Sequence, residues 1–246
     1  MHNQLTQLLQ LRQGTFSPVV PFDAGADSLK AFDLGQGNAA LTPSVFNHLP
    51  SFARYFDQLR GAARYGIGGY GELRGVYALS ALFNRQLAQH NSEGIEALKQ
   101  VEPRRLHLGT DIWGEAGTPV HAPLGGIIHS FAFNNNHGDY GATIILSHQL
   151  ENCSFFTLYG HLSLADLKNC YEGDYVVAGQ KFAHFGPPAE NGNWPPHLHF
   201  QIIEHIGLYR GDYPGVCKAS EKDMYLANCP DPDLILDMNR HLPAKG

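Results

Sequence analysis

The rhythm of apolar residues changes near residue 103. Before it the spacing is helical. Residues 5–11 form a short amphipathic segment, and Val45, Phe46, Leu49, Phe52, Ala53, Phe56 and Leu59 recur at three- and four-residue intervals. Thr42-Pro43 ahead of that run reads as a helix start, with Thr42 as cap and Pro43 in the first turn. Pro50 falls inside the run and predicts a kink or a division. Further helices are predicted over 79–89 and 95–101. Residues 65–71, Tyr-Gly-Ile-Gly-Gly-Tyr-Gly, hold too many glycines for a regular helix and read as a loop.

After residue 103 short apolar runs alternate with Gly, Pro, Asn and Asp. They predict strands over 105–108, 119–122, 127–133, 142–147, 155–162, 175–178, 181–185 and 198–203. Many short strands at this spacing indicate an antiparallel sheet or sandwich. The expected fold class is therefore mainly β, or α+β. The expected units are a helical N-terminal region over 1–103, a β domain over 104–205, and a tail over 206–246 packed on it, with a short helix near 234–238.

Composition narrows the function classes. Of 246 residues, 43% are hydrophobic and 16% charged, which fits an ordered globular chain. A formal charge of -6 without any Lys/Arg run argues against a nucleic-acid surface. No stretch approaches the ~20 apolar residues of a membrane span. Residues 1–14 lack the basic start and apolar core of a secretory leader, so the expected location is the cytoplasm. The four cysteines form no C-x-x-C pair, so free thiols are expected rather than a thiolate zinc site. No glycine-rich nucleotide motif follows a strand, and no G-x-S-x-G elbow is present. Nothing in the chain specifies an oligomeric state.

Three histidine clusters carry the chemistry: His107-Leu-Gly-Thr-Asp111, Leu158-Tyr-Gly-His161-Leu162 and His197-Leu-His199. They supply neutral nitrogen donors, one carboxylate and spare imidazoles, the inventory of a hydrolytic zinc site with an open position. Gly109 lets the chain turn after a strand, so that His107 and Asp111 can converge. On a strand His197 and His199 point the same way, while Leu198 and Phe200 enter the other face. One of the two can bind metal while its neighbour reaches substrate. His161 is expected at a strand end with Tyr159 on the same face, where an unbound imidazole can move protons. His148, ending the run 144–146, is a candidate to orient a ligand. His121, His129, His137, His184 and His205 read as surface or satisfied core residues.

These residues resemble the M23 peptidases, the zinc metalloendopeptidases of the lysostaphin and LytM type. The likeness rests on His107-Leu-Gly-Thr-Asp111, Gly117-Thr-Pro-Val-His-Ala-Pro123, Leu158-Tyr-Gly-His161-Leu162, Gly173-Asp-Tyr-Val176, Gly179-Gln180 and His197-Leu-His199-Phe200. The resemblance implies an antiparallel duplicated hybrid motif with the metal in a groove between loops. It implies His107, Asp111 and His199 as ligands of one Zn2+, and His161 and His197 as catalytic. It also implies hydrolysis of a peptide bond in a peptide or peptidoglycan-like substrate, often beside glycine. A further set is similar to the M23-like domain of chains that also carry a class III aminotransferase: Val19-Val-Pro-Phe-Asp23, Tyr70-Gly-Glu-Leu-Arg74, Asn191-Gly-Asn-Trp-Pro-Pro196, Gly211-Asp-Tyr-Pro-Gly215 and Cys229-Pro-Asp-Pro232. That likeness, and the lack of a leader, point away from a cell-wall substrate. The alternatives are a catalytically silent zinc-binding module and a cytoplasmic zinc amidase acting on a small amino compound. Residues 65–71 with Glu72 and Arg74 read either as a surface loop or as a gate over the groove, from which an Asn or Glu would fill the fourth zinc position.

Overall fold

A computed structural model describes residues 4–84 and 102–243. The predicted helix over 95–101, and the end of that over 79–89, lie outside the described residues. The elements are α1 (Gln4–Arg12), β1 (Leu29–Phe32), α2 (Pro43–Phe46), α3 (Leu49–Arg60), β2 (Tyr65–Gly68), β3 (Leu106–His107), β4 (Thr110–Trp113), β5 (Pro119–His121), β6 (Gly126–Asn134), β7 (Gly141–Leu150), β8 (Cys153–Leu162), β9 (Tyr175–Val176), β10 (Lys181–His184), β11 (His197–Ile203), β12 (Val216–Cys217), α4 (Lys222–Asn228) and α5 (Asp233–Leu236). Two 3-10 turns, Val76–Leu79 and Ala81–Phe83, replace the helix expected from residue 79. Among the described residues no helix is long and apolar enough to cross a membrane.

Eight strands form one sheet in the order β1-β2-β4-β11-β8-β7-β6-β9. Only β1 and β2 pair in parallel; the other six pairs are antiparallel. Two small antiparallel pairs, β5 with β10 and β3 with β12, flank it. Both faces of the central strands are covered. Ile144, Leu146, Tyr159, Leu198 and Phe200 pack on one side with Val120, Phe185 and Leu5. Ile145, Leu158 and Ile203 pack on the other with Leu106, Tyr213 and Cys217. Double-sided burial explains why 144–146 is a continuous apolar run rather than an alternating one.

Two expectations for the N-terminal region are corrected. Residues 65–68 are strand β2, not loop, so this region is not purely helical and extends the main sheet. Tyr65 and Ile67 enter the core, whereas a side chain at Gly66 would lie 2.1 Å from the Phe32 ring. The glycine leaves room for that ring to lie against the strand. Thr42 does not cap α2 with its side chain; its hydroxyl pairs with that of Ser44. The helical run is divided at Asn47–His48, and Pro50 sits in the first turn of α3, where its missing N–H does no harm.

Candidate metal centre and active site

Strand pairing assembles the site. His199 lies opposite Asp111 and His197 opposite Trp113 across the β11–β4 ladder. Directly opposed residues on one face have adjacent side chains. Leu198 and Phe200 enter the core, as alternation requires. His107 arrives from β3 through Gly109, whose backbone passes close beneath the His199 ring. A Cβ at 109 would meet His199 Cε1 and Nε2 at 2.5 Å and the Phe200 carbonyl at 2.8 Å.

His107 Nε2, Asp111 Oδ1 and His199 Nδ1 form a nearly equilateral triangle with sides of 3.0, 3.2 and 3.2 Å. Bonds of about 2.0–2.1 Å at tetrahedral angles need donor separations of about 3.3 Å. The triangle therefore fits a small divalent cation such as zinc. Its other atoms are tied from outside. His107 Nδ1–H donates to the Gly69 carbonyl at 2.9 Å, leaving the Nε2 lone pair inward. His199 Nε2–H donates to Gln201 Oε1 at 2.9 Å. The Gln201 amide is itself fixed by donating to Pro214 O and Cys229 Sγ. Asp111 Oδ2 takes the Arg74 guanidinium at 2.5 Å, and Arg74 Nε donates to Glu72 at 2.8 Å. Such outer contacts hold metal ligands in orientation.

Electrostatics keep the donors in their metal-binding forms. Burial pushes the His107 pKa down to about 4, and the Arg74 charge adds to the effect. Burial alone would raise Asp111, but His107 and Arg74 outweigh it and hold the carboxyl well below the usual carboxylate range. Burial likewise opposes the Arg74 charge, but Tyr77, Asp111 and Glu72 keep the guanidinium firmly protonated.

His161 and His197 stand beside the triangle, their rings 4.1 Å apart. Each donates Nδ1–H to a backbone carbonyl at 2.8 Å, His161 to Asn191 and His197 to Pro195. The proton is therefore on Nδ1 and the lone pair on Nε2 of both rings. Burial lowers both pKa values, that of His197 to about 4 and that of His161 well below its ordinary range with help from His197. His161 sits in a bulge: two residues of β8, Gly160 and His161, oppose Thr143 alone between the pairs Ala142–Leu162 and Ile144–Tyr159. Its φ is 62°, a left-handed conformation stored at some energetic cost. This corrects the expectation that Tyr159 shares its face. The bulge turns His161 into the site while Tyr159 packs into the core against Phe182 and Phe200.

The N-terminal region completes the surroundings. Phe56 stacks on Trp113 at 3.9 Å, and Trp113 stacks on His197 at 3.8 Å. Phe52, Phe56 and Tyr77 line, with Trp113, Trp194, Asp111, His161, His197 and His199, one cavity of about 170 Å³. Glu72 is held by Arg74 and the Leu34 N–H, so it does not take a metal position. His148 lies away from the site, between the Gly125 carbonyl and Thr157. Gln201 was legible as the next residue in the His197, His199 alternation. The Gly69 carbonyl and the pairing of Arg74 with Asp111 left no local signal.

Residues 105–210 match the family model described as Peptidase family M23. That stretch is similar to M23 peptidase domains. Over 109 residues it is 29% identical to the L-Ala–D-Glu endopeptidase of Bacillus subtilis (strain 168), covering 42% of this chain and 31% of that protein. The chain thus spans about a third of the length of that curated relative. A zinc containing peptidase from Vibrio cholerae is 26% identical, with 45% of this chain and 30% of that one covered and a TM-score of 0.32. The catalytic domain of the antimicrobial peptidase lysostaphin from Staphylococcus simulans is 22% identical, with 70% and 96% covered and a TM-score of 0.36.

Proposed function

We propose that this chain is a zinc-dependent hydrolase that cleaves a peptide or related amide bond. The observation that carries the reading is the donor triangle of His107, Asp111 and His199, of tetrahedral size, with two neutral imidazoles beside it. When bound, zinc would polarise a carbonyl and bring the pKa of a bound water to roughly 7. The chain's own residues do the rest. Nε2 of His161 or His197 takes the proton from water, because each ring is already neutral with Nδ1 committed to a carbonyl. The same imidazole, now protonated on Nε2, passes that proton to the leaving amine, while the second ring, with a lone pair on Nε2, accepts a hydrogen bond from the water or the substrate N–H. The stack of Phe56, Trp113 and His197 fixes the plane of the His197 ring during that transfer.

The test is release of free amine from glycyl peptides and muropeptides by the zinc-reconstituted chain, before and after chelation. The reading requires turnover that chelation abolishes and zinc restores. One equivalent of bound zinc with no turnover of any amide refutes it and leaves a silent binding module.

A further inference from the structure

We propose that Asn191 is a positioning residue for both proton-transfer imidazoles. Its side chain pins the segment 186–196, whose backbone holds His161 and His197 in the one tautomer that leaves Nε2 free to accept a proton. This rests on the hydrolytic reading of the metal centre and deepens it.

The segment connects β10 to β11 and carries both of the carbonyls involved. His161 Nδ1–H donates to Asn191 O and His197 Nδ1–H to Pro195 O. A carbonyl oxygen only accepts, so each neutral ring carries its proton on Nδ1. The partner of one ring nitrogen decides the state of the other. Two imidazoles from different strands therefore take their tautomer from a single stretch of backbone. If that stretch shifted, either ring could move its proton to Nε2. It would then present a donor where the reaction needs an acceptor.

The Asn191 side chain closes this segment on itself. It is fully buried. Its Nδ2 donates to the Gly186 and Trp194 carbonyls, both at 3.1 Å, and its Oδ1 accepts the Trp194 N–H at 3.0 Å. These partners fix the direction of the amide, because a flip would set N–H against N–H and oxygen against oxygen. Gly186 is tied in turn to His161, its N–H donating to the His161 carbonyl at 2.8 Å. One side chain thus joins the start of the segment to its end, while the carbonyl of the same residue holds the His161 ring. Trp194, held through both its N–H and its carbonyl, stands edge-on to both imidazoles, with ring centres 6.2 Å from His161 and 6.1 Å from His197.

The segment is also wedged against the turn between β6 and β7. Gly138 N–H donates to Gly192 O at 2.8 Å, and Ala142 N–H to Glu190 O at 3.1 Å. A Cβ at Gly192, whose φ is 81°, would overlap the Asp139 carbonyl, so only glycine admits this approach. The Glu190 carboxylate accepts from Ser163 Oγ and the Leu164 N–H, both at 2.8 Å. The residues that follow His161 are therefore bound to the same segment.

The experiment uses the full chain with 15N-labelled histidine, zinc-loaded and chelator-stripped. Long-range 1H–15N correlation reads the tautomer of each ring, with the two signals assigned through His161→Ala and His197→Ala. Amine release from glycyl peptides gives kcat and KM alongside. Both wild-type rings should carry the proton on Nδ1. Asn191→Asp keeps the shape and the acceptor for Trp194 N–H, but sets oxygen against the other two carbonyls. It should bring the Nε2–H tautomer into at least one ring and lower kcat about 10–100-fold, with KM little changed. Asn191→Ala should do the same, and Asn193→Gly, at an exposed position of positive φ, should do neither. Wild-type rings protonated on Nε2 overturn the proposal without any variant. Folded Asn191→Asp and Asn191→Ala chains with wild-type tautomers also overturn it. Tautomers that shift as expected, in a chain that turns over no amide, keep Asn191 as the holder of both rings and remove the hydrolase.

Discussion

Replacing Gly109 by alanine adds one methyl group and should cost the protein its metal. The new Cβ would stand 2.5 Å from two atoms of the His199 ring and 2.8 Å from the Phe200 carbonyl oxygen. Ordinary contact begins near 3.4 Å, so the ring must retreat by about 0.9 Å, because the carbonyl belongs to the central strand β11. Metal sites tolerate ligand displacements of only about 0.2 Å. His199 Nδ1 would leave the triangle, and zinc would be left with two protein donors. The loss of affinity should exceed the roughly 10–100-fold that follows loss of an outer contact. Overpacking of this kind also destabilises by about 1–3 kcal/mol, a fall in Tm of about 2–12 °C at this chain length. The assay is competitive zinc titration with a chromophoric chelator, beside thermal unfolding followed by circular dichroism. Gly37→Ala is the control, since nothing lies within 4 Å of its added Cβ. Wild-type zinc affinity in folded Gly109→Ala would refute the argument that this glycine exists to admit the ligand ring.

Three further outcomes follow from the same geometry. His161→Ala should keep one zinc, because its ring is not part of the donor triangle, and lose about 10²–10⁴-fold in kcat; unchanged kcat in steady-state assays would remove His161 from proton transfer. Arg74→Met strands Asp111 and Glu72 without their shared cation and should lower the stability of the metal-free chain by about 3–5 kcal/mol in urea unfolding, and a loss below about 1 kcal/mol would contradict that role. His148 is buried and its pKa is pushed down to about 4 by desolvation, so the unfolded chain binds its proton first as pH falls. Its contribution is whole above about pH 6.5 and is lost as pH falls towards and through 4, a drop of about 2–3 kcal/mol between pH 7 and 4.5. His148→Gln should flatten that limb by this amount, and an unaltered limb in urea titrations at the two pH values would exclude His148 as its source.

The β elements from residue 119 to 203 were legible because their apolar runs are short and bounded by turn residues; β5, β10 and β11 lie within a residue of expectation at each end. Strands β1 and β2 were not. In β2 the residues facing the site are Gly66 and Gly68, which carry no side chain to reveal alternation, because Phe32 and Arg74 occupy that space. The bulge at His161 was hidden for a related reason. Its left-handed φ is set by pairing with β7 and by the Tyr140 carbonyl that accepts its N–H, neither of which is local. The convergence of His107 with Asp111 was readable from spacing, whereas the choice of His199 over His197 as their companion came only from the family likeness. Their outer partners were not, since the Gly69 carbonyl and Arg74 come from a segment about 40 residues upstream whose local sequence says nothing of the metal.

The most direct test is anomalous diffraction at the zinc edge from crystals of the full chain grown with Zn2+. One peak should lie about 2.0–2.2 Å from His107 Nε2, His199 Nδ1 and Asp111 Oδ1, with His161 and His197 outside bonding distance. A peak elsewhere, or none with those three groups turned apart, would contradict the account.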